Sequence, residues 1–135
     1  MNNNLNNVIP IRKTDRFKLC KGHLTDEGDV EEYQSLGFAY LKPQGKTFRL
    51  KLWMFPKESF YLSRDENSEF VYTILAIDEY TNQNNELITN WREIGKGYTL
   101  GNYIRLDFYL LKEEIYLCLY PEKQPNEEVN SAVGF

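Results

Sequence analysis

At 135 residues the chain has room for one domain and not for two ordinary ones, and it can bury roughly two-thirds of its unfolded surface without staples. Apolar residues make up 41%, yet 8 Phe, 10 Tyr and 2 Trp are a heavy aromatic load for a mean hydropathy of -0.59, a balance that favours strands over helices. No apolar run approaches the roughly 18 residues that span a bilayer, and the polar opening Met1-Asn2-Asn3-Asn4-Leu5-Asn6-Asn7 is no secretory signal. The expectation is therefore a cytoplasmic protein rather than a membrane protein.

Residues 1–10 read as a disordered, Asn-rich arm. Residues 11–120 form one β domain, in which residues 17–24 and 36–41 are short strand candidates and residues 29–34 a short helix capped by Asp29. Alternation is clearest over residues 47–55, where Phe48, Leu50, Leu52 and Met54 face a core and Thr47, Arg49, Lys51, Trp53 and Phe55 face the other way. The turn Lys42-Pro43-Gln44-Gly45-Lys46 joins this strand to its predecessor. Parity then sets Leu41, Ala39 and Gly37 against Phe48, Leu50 and Leu52, and on the opposite face Tyr40 against Arg49, Phe38 against Lys51 and Leu36 against Trp53.

After Pro56 come a strand candidate at residues 60–62 and a stretch at 70–77 that is apolar on both parities, read as a central strand covered on both sides. Part of residues 78–90 could be helical, and residues 91–96 are another strand candidate. Residues 103–111 and 114–120 alternate again: Ile104, Leu106, Phe108 and Leu110 face inward with Ile115, Leu117 and Leu119. Joined by a four-residue loop, these two strands would pair Leu110 with Ile115, Phe108 with Leu117 and Leu106 with Leu119, leaving Tyr103, Arg105, Tyr109, Tyr116 and Tyr120 on the outer face. Seven or eight short strands with at most one or two short helices make an antiparallel barrel or sandwich. Residues 121–135 read as a flexible, weakly acidic tail.

The chemistry-bearing side chains point away from catalysis. His23 is the lone imidazole and sits near no nucleophile motif, so a surface histidine at a strand end is expected. Cys20 and Cys118 with His23 are three soft ligands without C-x-x-C spacing, which excludes a tetrahedral zinc site. The thiols are expected to stay reduced, with one disulfide between the first and last strands as the alternative. Acids gather in turn-like clusters where solvated loops are the default, so no catalytic carboxylate pair is assigned. Gly95-Lys96-Gly97-Tyr98-Thr99-Leu100-Gly101 lacks the order of a phosphate loop and reads as a Gly-rich hairpin or bulge. No cofactor is expected.

The remaining signal is a face that mixes rings and cations. Single-stranded nucleic acids are held by aromatic platforms that stack bases and by Lys or Arg that follow the phosphates. Residues 33–57 hold Lys42, Lys46, Arg49, Lys51 and Lys57 and no acid, so the local field is basic although the net charge is -4. The expected contacts are Arg49, Lys51 and Arg105 to phosphates, with Phe38, Tyr40, Trp53 and Tyr109 stacking. The alternative uses are a second packing layer or a protein interface, including a homo-oligomer.

Two resemblances add to this. The acidic stretch Glu127–Phe135 resembles the partner-recruiting C-terminal tip of bacterial single-stranded-DNA-binding proteins, which implies a protein-binding role for Phe135. It lacks that family's consecutive aspartates and Pro-Phe ending, with Val129-Asn130-Ser131-Ala132-Val133-Gly134 in their place. Trp91-Arg92-Glu93, Gly101-Asn102-Tyr103-Ile104-Arg105-Leu106 and Ile115-Tyr116-Leu117 resemble a family of short β-rich proteins found on conjugative plasmids. That family's Ala before the tryptophan and its Asp-Asp-Pro after the long strand are absent. This second resemblance implies a bacterial accessory protein and carries over no active site.

Overall fold

The computed structural model describes residues 14–121. The proposed arm and nearly all of the tail, including Phe135, lie outside the described residues.

Eight strands follow one another around a closed antiparallel barrel in chain order. They are β1 (Asp15–Leu24), β2 (Val30–Leu41), β3 (Thr47–Leu52), β4 (Phe60–Arg64), β5 (Val71–Thr81), β6 (Leu87–Leu100), β7 (Tyr103–Phe108) and β8 (Ile115–Pro121). β8 closes the ring against β1, pairing Leu19 with Leu117 and Cys20 with Tyr116. Closure removes the sheet edges that an open eight-stranded meander would expose. The interior is filled by Phe17, Leu19, Ala39, Phe48, Leu50, Leu62, Ile74, Ile104, Leu106, Ile115 and Leu117, contributed by strands all round the ring.

The β2–β3 hairpin has the register that parity predicts, from Leu41 opposite Phe48 to Gly37 opposite Leu52. Gly37 has φ 149°, and a Cβ there would run into the Lys51 carbonyl, so glycine alone allows this close approach. The β7–β8 hairpin keeps its predicted faces but not its predicted partners: Ile115 lies opposite Leu106 and Leu117 opposite Ile104. β7 stops at Phe108, where Leu111 N–H turns back to the Phe108 carbonyl, so the connection is longer than four residues. Leu110 is thus 94% exposed rather than inward. Met54 is likewise exposed, because β3 ends at Leu52 and Phe55 N–H turns back onto the Leu52 carbonyl.

Both expected helices are strand. Gly28 (φ 89°) makes a turn in which Thr25 N–H donates to the Asp29 carbonyl, so Asp29 closes a hairpin instead of capping a helix. Asn82 organises the β5–β6 turn through its side-chain oxygen, which accepts from Asn84 N–H and Glu86 N–H, while Asn85 adopts φ 64°. The paired strands on either side of that turn run on past the barrel wall to Thr81 and Leu87. β5 is not covered on both sides either. Its fully buried residue is Ile74, and the bulge beside it lies in β6, where Ile94 is the extra residue between the partners of Ile74 and Leu75.

Candidate nucleic-acid interface

Register places rings and cations in rows across the outside of β1–β4. Arg16 lies opposite Tyr40, Tyr40 opposite Arg49, and Arg49 opposite Tyr61, giving cation, ring, cation, ring on four adjacent strands. With strands about 4.8 Å apart, the row is about 15 Å long. The next row runs Lys18, Phe38, Lys51. The Arg49 guanidinium lies 5.8 Å from the Tyr40 ring centroid, and that of Arg16 lies 4.5 Å from the Phe38 ring. Phe38 in turn meets Trp53 edge-on, with centroids 5.8 Å apart. Trp53 stands just past β3, its N–H bonded to the Leu36 carbonyl and its side chain 56% exposed.

Beside the first row, Thr14, Tyr40, Lys42, Gly45, Lys46, Thr47, Arg49 and Tyr61 line an open cleft of about 660 Å³ with three cations, two phenol rings and no carboxylate. Arg16, Lys42, Lys46 and Arg49 have no ion-pair partner among the described residues. The acidic β4–β5 connection bounds this region, for Lys46 also borders a second cleft that holds Asp65, Glu66 and Glu69.

Among the residues expected to bind, Phe38, Tyr40, Arg49 and Trp53 do come together on this side. Lys51 shares the face, but its ammonium is turned to the β3–β4 connection, donating to the Pro56 and Glu58 carbonyls at 3.3 and 3.1 Å. Arg105 and Tyr109 do not join the others. β7 stands four strands from β3 whichever way the ring is followed, so they sit on the far wall. Arg105 Nε is 3.0 Å from Asp107, and Nη1 lies 3.8 Å from Glu114; the hydrogen bond it donates to Asp107 first, then nearby carboxylates, hold the guanidinium's pKa above its usual value. The Tyr109 hydroxyl donates to Glu93, which raises its pKa, and its ring is exposed.

On the far wall Tyr116 keeps its expected outer side but not its expected exposure. Tyr116 is fully buried, as are Cys20 and Cys118 within a few per cent, although all three project away from the barrel interior. Two bulges, at Leu19/Cys20 and Lys21/Gly22, coil the β1–β2 hairpin. Glu32 then pairs with Lys18 at 2.5 Å and accepts the Tyr103 hydroxyl at 2.7 Å, while the Tyr103 ring meets Tyr116 edge-on. The hydrogen bond from Lys18, then that from Tyr103, hold the Glu32 carboxyl below its ordinary range. Burial, the largest influence, pushes the Cys20 thiol up to about 11, so it is a poor nucleophile near neutrality. Both cysteines are free. They lie diagonally across the β1–β8 pair, since Cys20 faces Tyr116. His23 is exposed and paired with Glu114 at 3.0 Å.

Sequence reasoning assigned no contact to Arg16 or Tyr61, and named Lys42 and Lys46 only as part of the basic stretch. The first was legible: Arg16 and Lys18 alternate with Phe17 and Leu19, the same pattern that singled out Arg49 and Lys51. Tyr61 was not, because a five-residue strand carries too few alternations to fix its outward side. No protein-family model, curated protein or solved structure matches the chain.

Proposed function

We propose that this protein is a non-enzymatic binding module for single-stranded nucleic acid, held on the outer face of β1–β4. The observation that carries the reading is the cleft in which Lys42, Lys46 and Arg49 stand beside Tyr40 and Tyr61 without a carboxylate. Uncompensated cations draw in phosphates by releasing counterions from the strand, and phenol or indole faces accept any base by stacking. Arg49 and Lys46 contact phosphates, Arg16 and Lys42 extend that track, and Tyr40, Tyr61 and Trp53 offer stacking surfaces. Phe38 is partly covered by Arg16 and Trp53 and supports those two rather than binding a base itself. The resemblance to plasmid-borne proteins fits an accessory role of this kind in a bacterial cytoplasm.

The test is a salt titration of a fluorescently labelled oligothymidylate. Binding at low salt should weaken with rising salt along a logarithmic slope of about -2 to -3, as three or four neutralised phosphates require. Binding that is absent at low salt, or indifferent to salt, overturns the reading.

A further inference from the structure

Beyond the barrel wall the β5–β6 ribbon has two edges of its own. β4 pairs with β5 only as far as Ala76, and β7 pairs with β6 only from Gly95 onward, with one further bond from Tyr109 N–H to the Ile94 carbonyl. Residues 87–92 of β6 therefore have no strand beside them on the outer edge among the described residues. Because Asn82 N–H donates to the Glu86 carbonyl, the backbone of Glu86 faces β5. Antiparallel alternation then turns the N–H and C=O groups of Leu87, Thr89 and Trp91 outward, where they are unpaired. Leu87 is 67% exposed, Trp91 is exposed too, and the edge carries neither Pro nor Lys, the usual guards against strand addition.

We propose that residues 87–92 pair antiparallel with the same residues of a second copy of this chain, about a two-fold axis at Thr89. Three features select this occupant and this register. Thr89 would exchange both backbone bonds with its own copy, and Leu87 with Trp91, which uses every outward group of the edge; sliding the pair by one residue about the axis leaves some of them unmet. Leu87, the most exposed apolar residue of the ribbon, comes to lie beside Trp91 of the other copy. Glu86 comes to lie opposite Arg92, whose guanidinium is 3.3 Å from Asp78 of its own chain and would there stand between two carboxylates, so the charges are complementary across the axis. The other edge of the ribbon is unsuited to the same pairing: centred on Glu79, it would oppose that carboxylate to itself with Asp78 alongside. An edge this short implies weak association, so the dimer forms in the micromolar range. The interface meets the cleft only where the Trp91 ring rests edge-on against Tyr61, centroids 5.4 Å apart, and its backbone pairing does not depend on the nucleic-acid reading.

Sedimentation of the full chain without oligonucleotide, at concentrations up to about 100 μM, should show the mass rising from 16.0 kDa toward twice that value. Thr89→Pro removes an outward donor that no strand of the same chain uses, so it should leave the far-ultraviolet circular dichroism unchanged and hold the protein monomeric. Arg92→Glu should weaken association about tenfold, and Glu86→Arg combined with Arg92→Glu should restore it. If Thr89→Pro fails to fold, the charge-swap pair decides. A wild-type chain that stays monomeric, a dimer indifferent to folded Thr89→Pro, or a double variant no better than Arg92→Glu overturns the proposal.

Discussion

On the β1–β4 side of the barrel, Arg16, Tyr40, Arg49 and Tyr61 follow one another across four strands with no carboxylate in the row. On the β7–β8–β1 side, Lys18 meets Glu32, Lys21 meets Glu113, and Arg105 lies between Asp107 and Glu114. Both regions are alternating strands that send rings and cations outward. The difference lies in which groups come within reach of each cation. Where an acid does, from β2 (Glu32), from β7 itself (Asp107) or from the β7–β8 connection (Glu113 and Glu114), the cation is paired, and the rings collapse into a small outer core around Tyr116. Where the neighbouring strands bring rings instead, the charge stays available to solvent. Aromatic and basic content alone therefore does not make a binding face.

The comparison breaks most easily at Tyr116. Tyr116→Ala should lower unfolding free energy by about 3–5 kcal/mol, because it empties a closed site on the far wall. Trp53→Ala on the other side should stay within about 1 kcal/mol. Denaturant unfolding of the two variants measures the contrast, and equal losses would show that both faces are packing surfaces. Next in size is binding. Lys46→Gln with Arg49→Gln should reduce oligonucleotide affinity at least about tenfold, and Tyr61→Ala should remove about 1–3 kcal/mol of stacking. Arg105→Gln should leave fluorescence anisotropy titrations unchanged, and a comparable loss there would place the ligand on the wrong wall.

The smallest effect belongs to Glu32. Its carboxyl titrates lower in the folded chain than in the unfolded one. The unfolded state therefore takes up the proton first as pH falls. The stabilisation is complete above the ordinary glutamate value of about 4.3 and is lost as pH drops through the folded value. Glu32→Gln should cost about 1 kcal/mol at neutral pH, discounted for its partial exposure. Thermal melts should show that gap closing under acid conditions. A gap that persists there would mean that Glu32 acts by packing and not by charge.

The alternation of Phe48, Leu50 and Leu52 with Arg49 and Lys51, and the Pro-Gln-Gly turn before them, were enough to specify the all-β class, the inward faces and the full β2–β3 register, because a side-chain period of two and a short turn are local properties of the chain. Phe38, Tyr40, Arg49 and Trp53 were legible as neighbours for the same reason. The barrel's closure, the strand character of residues 29–34 and 78–90, the burial of Tyr116 and the separation of Arg105 and Tyr109 from Arg49 were decided by the tertiary structure. Each depends on which strand lies beside which, and on bulges such as Leu19/Cys20 that coil one hairpin over another. Alternation tells a side chain which way to face, but only the closed ring determines what it meets there.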